Sequence, residues 1–159
     1  MIITPNALLE TTEPMPTPAW LLPHAEPMVL LSRIVATAET WLEAEVDHRQ
    51  PTVFSQTNGD TPAWVALEYM AQTVAAYAGL KRRQSGREPN VGFLLGTRNF
   101  DVNVPCFKHG EALRIKVKPV LESDNDISLF QCELRNRRGQ NLGNAQLKGV
   151  QPKNPTDFI

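Results

Sequence analysis

Thr61-Pro62-Ala63-Trp64-Val65-Ala66-Leu67-Glu68-Tyr69-Met70-Ala71-Gln72-Thr73-Val74-Ala75-Ala76-Tyr77-Ala78-Gly79-Leu80 decides how this chain folds. Thr61 suits an N-cap, Pro62 suits the first helical position and Gly79 suits the C-terminal one. The stretch is therefore expected to be one helix of about 17 residues, about 25 Å long. Lys81, Arg82 and Arg83 follow it, where cations meet the negative end of the helix dipole. Between Pro62 and Leu80 only Glu68, Gln72 and Thr73 are plainly polar. Trp64, Val65, Leu67, Met70, Val74 and Ala75 spread around the circumference, and a helix apolar on all sides is expected to be buried on all sides. A sheet covers one side of such a helix; a second subunit is the natural cover for the rest.

Glu68 stands out against that background. A carboxylate in an apolar helix is costly unless it is paired, protonated or doing chemistry. Desolvation would raise its pKa and suit it to donate a proton near neutral pH. Two plainer readings stay open: Glu68 lies at a gap in the cover and sees water, or it pairs with an arginine such as Arg98.

Outward from the helix the chain reads as strands. Met28–Ile34 is an apolar run and Trp41–Val46 alternates, with residues 36–40 as their hairpin connection. Residues 50–60 are polar and contain Asn58-Gly59, a loop signal. Strands are expected over 92–100, 113–122, 127–136 and 142–150, separated by turn sequences at 108–110, 123–126 and 138–141. Two strands, one helix and then a run of strands give an α+β domain with an antiparallel sheet of five or six strands around the helix. Pro5, Pro14, Pro16, Pro18 and Pro23 mark residues 1–20 as an arm with little regular structure, 21–150 as the domain and 151–159 as a tail.

Composition narrows the function. The 159 residues carry a net charge of −1, with 42% hydrophobic and 21% charged residues, so no basic footprint for nucleic acid is present. No apolar run reaches the length of a membrane span, and residues 1–18 lack the pattern of a secretory signal. The two cysteines, Cys106 and Cys132, have neither scaffold nor metal spacing, so a reducing cytoplasm is the expected setting. No phosphate-binding glycine loop is found, and no metal or organic cofactor is expected.

Three segments, in order, carry a family resemblance. Leu22-Pro23-His24-Ala25-Glu26-Pro27-Met28-Val29-Leu30-Leu31-Ser32-Arg33-Ile34 resembles the opening of beta-hydroxyacyl-acyl-carrier-protein dehydratases, where a Pro-His-Arg-x-Pro run leads into a Val-Asp-Arg-Val strand. Thr61 to Gln72 resembles their Met-Pro-Gly-hydrophobic-Glu-Ala-Leu-Ala-Gln helix start. Phe93-Leu94-Leu95-Gly96, then Phe100 and Pro105, resembles their following strand. Pro62-Ala63-Trp64-Val65 and Glu68-Tyr69-Met70-Ala71-Gln72 look most like the divergent dehydratases of aryl polyene biosynthesis, which are associated with a second, more conventional dehydratase subunit.

The resemblance implies a hot-dog fold, a long central helix wrapped by the sheet, over residues 21–150. It implies elimination of water from a 3-hydroxyacyl thioester on an acyl carrier protein, in fatty acid or polyene biosynthesis. In the family a histidine takes the C2 proton, and a Glu or Asp of the facing protomer handles the departing hydroxyl. A backbone N–H at the helix start polarises the thioester carbonyl. Glu68 matches the acid, Gln72 the glutamine one turn on, and Ala63 the glycine that offers the N–H.

The histidine does not carry over, because family spacing puts it at Phe54. His48 is the nearest alternative, His24 belongs to the N-terminal motif and His109 to a turn. Three outcomes fit: a heterodimer partner supplies the histidine; a homodimer has lost or altered the chemistry, for instance to thioester hydrolysis; or the chain is a non-catalytic partner that stabilises an active dehydratase. Trp64 and Phe54 either line an acyl or aryl channel or belong to the core. Lys81-Arg82-Arg83 and Arg87 either attract an acidic carrier protein or form a solvated helix end.

Overall fold

The computed structural model describes residues 14–123 and 125–153. The first part of the expected arm, most of the tail and one residue of the 123–126 turn lie outside the described residues. The chain runs through α1 (Pro18–Leu21), β1 (Arg33–Ala38), β2 (Trp41–Asp47) and β3 (Thr61–Pro62). A 3-10 turn at Ala63–Val65 leads into α2 (Ala66–Gln84). Then come β4 (Phe93–Val102), β5 (Cys106–Phe107), β6 (Ala112–Glu122), β7 (Ile127–Asn136) and β8 (Asn141–Val150).

Six strands form one sheet in the order β1-β2-β6-β7-β8-β4, every neighbouring pair antiparallel, and β3 pairs with β5 apart from it. Alternation explains the core. Leu42, Ala44 and Val46 of β2 turn inward, as do Leu113, Ile115 and Val117 of β6 and Phe130, Cys132 and Leu134 of β7. Glu43, Glu45 and Arg114 point the other way, where Arg114 and Arg33 bridge to the carboxylates. The inward face meets Ala66, Tyr69, Met70, Thr73, Ala76 and Tyr77 of α2, which recur at helical spacing and are all buried. One long helix laid in a six-stranded antiparallel sheet is the hot-dog arrangement.

Three local expectations need correcting. Residues 28–32 are not strand: β1 starts at Arg33, because the backbone of 28–30 is held by a helix side chain instead of a neighbouring strand. Thr61 and Pro62 do not cap the helix; they pair with Phe107 and Cys106, and the α-helix starts at Ala66. Gly79 does not end it either. A Cβ at 79 would lie 1.9 Å from the carbonyl oxygen of Leu21, so glycine is there to let α1 cross at contact distance. The helix continues to Gln84 and stops at Ser85, followed by Gly86 with φ 74°. Arg83 joins the same junction, stacking on Trp20 and donating to its carbonyl.

Burial on all sides also fails. The sheet covers one face of α2, while Leu67, Ala71, Val74, Ala75 and Ala78 stay half-buried on the other. A single sheet of this width reaches round only part of a helix.

Candidate active site

Gln72 organises the half-covered face. Its side chain is fully buried, and its amide donates both of its protons and accepts one hydrogen bond. The oxygen accepts from the N–H of Leu30 at 2.9 Å, and the nitrogen donates to the carbonyl of Met28 at 2.7 Å. The nitrogen also donates to Glu68 Oε1 at 3.0 Å, one helical turn earlier. One amide thus lays the 28–30 segment along α2 and orients the Glu68 carboxylate. Leu21, Leu22 and Leu30, all buried, fix the two ends of the segment between them.

That segment carries His24, whose Nε2 lies 3.9 Å from Glu68 Oε1. The two side chains are 29% and 37% exposed, neither sealed in the core nor loose in solvent. His24 Nδ1 is buried with no hydrogen-bond partner among the described residues. Glu68 sits in the first turn of α2, at the electropositive end of the helix.

From this pair a groove of about 520 Å³ runs along the half-covered helix face. Ala71, Val74, Ala75 and Ala78 form its floor, and Phe93, Leu94, Phe130 and Leu147 contribute from the sheet. Lys81, Arg82 and Arg87 stand at the far end. From Glu68 to Arg82 along the helix is about 21 Å at 1.5 Å per residue. The groove is apolar in its middle and holds the His24–Glu68 pair at one end, and its charged lining further on mixes Lys81, Arg82 and Arg87 with Glu122 and Asp126. A smaller hollow of about 260 Å³ lies among Glu43, Glu45, Arg114 and Arg135 on the outer face of the sheet, where Arg114 pairs with both glutamates and Arg135 with Glu133.

The other residues singled out in the sequence fall elsewhere. Trp64 is 63% exposed and meets Phe54 edge to face at 5.8 Å, one turn before Glu68 and outside the groove lining. The N–H of Ala63, expected to face a thioester carbonyl, donates instead to Pro105 O at 3.2 Å, pinning the helix start to the approach to β5. Glu68 pairs with His24 and Gln72, not with Arg98.

His48 does not reach the groove. It is 4% exposed, its Nδ1 meets Glu111 O and its Nε2 meets Tyr69 OH, and its ring packs on Phe107. A carbonyl beside Nδ1 requires the proton there, so Nε2 accepts from the tyrosine. Burial lowers the His48 pKa and pushes that of Tyr69 up to about 12. His109 lies in the turn before β6, its N–H on Asp60. His24 is the residue that sequence reasoning left out of the site. The one available signal was that the Pro-His motif and the Glu-x-x-x-Gln helix start occur in the same chain.

The profile of the ApeP-like dehydratases matches residues 16–159. The chain belongs to the ApeP-like dehydratase family. Among solved structures it is similar to a chain of the dehydratase heterocomplex ApeI:P from Xenorhabdus doucetiae. The two are 29% identical with a TM-score of 0.82, over 90% of this chain and 95% of that one.

Similarity in fold alone extends further. A hypothetical thioesterase from Streptococcus pneumoniae, solved with coenzyme A, is 12% identical with a TM-score of 0.58, over 76% of this chain and 84% of that one. The protein smu.793 from Streptococcus mutans, bound to acetyl coenzyme A, is 10% identical with a TM-score of 0.57, over 75% and 86%. No curated protein sequence gives a significant match. Among the described residues of this ApeP-like chain, no helix is long and apolar enough to cross a membrane.

Proposed function

We propose that this chain is a subunit of a 3-hydroxyacyl-thioester dehydratase. It would eliminate water from an acyl-carrier-protein-bound substrate of fatty acid or polyene biosynthesis to give the 2-enoyl thioester. The observation that carries this reading is Glu68, a carboxylate in the first turn of α2 at the head of an apolar groove. There it serves as the acid that protonates the departing 3-hydroxyl. The apolar floor suits an acyl or aryl chain, and the cations at the far end suit the phosphate-bearing arm of a carrier.

The active unit is proposed to contain a second hot-dog dehydratase subunit. The similar Xenorhabdus doucetiae structure is a heterocomplex. Among the described residues one face of α2 stays half-covered and β4 is the last strand of the sheet, with Leu94 and Leu95 47% and 50% exposed. A second subunit closes both.

The test is to incubate the purified chain with 3-hydroxyacyl carrier protein, alone and with the second subunit, and to follow loss of one water by mass spectrometry. Glu68→Gln is expected to lower turnover by about 100-fold or more. A full rate in that variant removes Glu68 from the mechanism. Release of free thiol without enoyl product replaces dehydration by hydrolysis.

A further inference from the structure

We infer that Trp64, braced by Phe54, is the anchor on which the second hot-dog subunit docks. The inference rests on the reading of this chain as one subunit of a two-subunit dehydratase and deepens it. Burial along α2 and the turn before it sorts the side chains onto two faces. Val65, Ala66, Tyr69, Met70, Gln72 and Thr73 are buried, while Leu67, Glu68, Ala71, Val74 and Ala78 are half-buried and Trp64 is exposed. The intervals between the uncovered positions are three and four residues, so they share one face, and that face continues through Trp64. At 63% Trp64 is the most exposed large apolar side chain among the described residues, and Val53, next to Phe54, is 54% exposed. A cover that closes the open face of α2 from its start therefore meets Trp64.

Two features set Trp64 apart from loose surface. The first is how firmly it is held. The N–H of Ala63 donates to Pro105 O at 3.2 Å, and Pro62 pairs with Cys106. The turn that carries Phe54 is closed from both ends, by the Thr52 N–H on Ser55 Oγ at 2.9 Å and the Ser55 N–H on Thr52 O at 3.1 Å. The two rings meet edge to face, 5.8 Å apart at 84°. A ring fixed in advance has little freedom left to lose on binding. The second feature is what lies over the rings. Arg83 sits 4.5 Å over Trp20 and Lys116 sits 4.3 Å over Trp41, whereas no cation covers Trp64 among the described residues. Its outer face is left for an apolar cover, and rigid aromatics of this kind are what protein interfaces use as hot spots. Trp64 also stands outside the groove lining, which favours a protein surface over the acyl chain as its occupant.

The test titrates the purified chain with the second hot-dog subunit and reads quenching of tryptophan emission by acrylamide, in wild type and in Trp64→Phe. The difference between the two reports Trp64, which is expected to be quenched in the isolated chain and shielded in the complex. Trp64→Ala is expected to weaken assembly about 30-fold by titration calorimetry, with the melting temperature of the isolated chain unchanged. Its dehydration rate is expected to fall when the second subunit is scarce and to return to the wild-type rate when that subunit is saturating. A loss that saturation leaves unrestored places Trp64 against the substrate and overturns the anchor. So does a complex in which Trp64 stays open to acrylamide, or full-strength assembly of Trp64→Ala. Shielding that grows with the concentration of this chain alone assigns the surface to a second copy of it, and also overturns the proposal. Where Trp64→Ala does not fold, the quenching comparison decides. A shielded Trp64 in a complex that forms no enoyl product overturns the dehydratase reading and leaves the anchor standing.

Discussion

Two histidines show how position decides what one residue type can do. His24 rides on an irregular segment beside a groove, whereas His48 is sealed between Tyr69, Phe107 and the carbonyl of Glu111. Burial keeps His48 below its ordinary 6.5. Below that pH the unfolded chain binds more protons at this site than the folded one, so stability increases with pH there and is lost on acidification. Thermal unfolding is therefore expected to shift downward as pH falls below 6.5, and His48→Gln to flatten that slope.

The acids act in a separate window. Hydrogen bonds from Arg49 hold Asp47 down at about 2, against an ordinary 3.8. For Glu45, burial pulls upward but the bonds from Arg33 and Arg114 outweigh it. Both carboxylates contribute above their ordinary values and lose that contribution only in stronger acid, so their loss falls at lower pH than that of His48. Glu68 and Gln72 were legible in the sequence, since each interrupts an apolar helix. His24 was not, because what brings it to Glu68 is a side-chain amide reaching a segment with no periodicity of its own.

At the scale of elements, β6, β7 and β8 were read almost to the residue, because alternation over ten or so positions has one solution on a half-buried sheet. The helix ends were misread because the same letters serve two purposes. Thr61-Pro62 fits a helix start and also a two-residue bridge to β5, and only the presence of Cys106-Phe107 opposite decides between them. Gly79 fits a stop and also a crossing point. At an uncrowded interior position Gly79→Ala would add about 1 kcal/mol of helix propensity. As a crossing point it forces α1 away from α2, and a net loss of about 1–3 kcal/mol is expected in chemical denaturation.

For the whole molecule, the all-round apolar helix foretold a cover that the described residues do not provide. Its sheet-facing side is filled, and its other side opens into the groove. β4, the last strand of the sheet, borders that groove, with Leu95 half-exposed and outside the groove lining. Leu95→Lys is expected to weaken assembly with the second subunit, read by sedimentation velocity, while leaving the melting temperature of the isolated chain unchanged. A matching loss of melting temperature would place Leu95 in the fold of the chain itself.

The Gln72 amide has a consequence for how this lineage can change. Its planar head gives two protons and takes one, on a stem that spans from α2 to the opposing backbone. Glutamate could take but not give, lysine could give but not take, leucine could do neither, and asparagine is a methylene short. Drift at position 72 is thus closed off one letter at a time, and a glutamine there is a marker for finding distant kin whose other motifs have worn away.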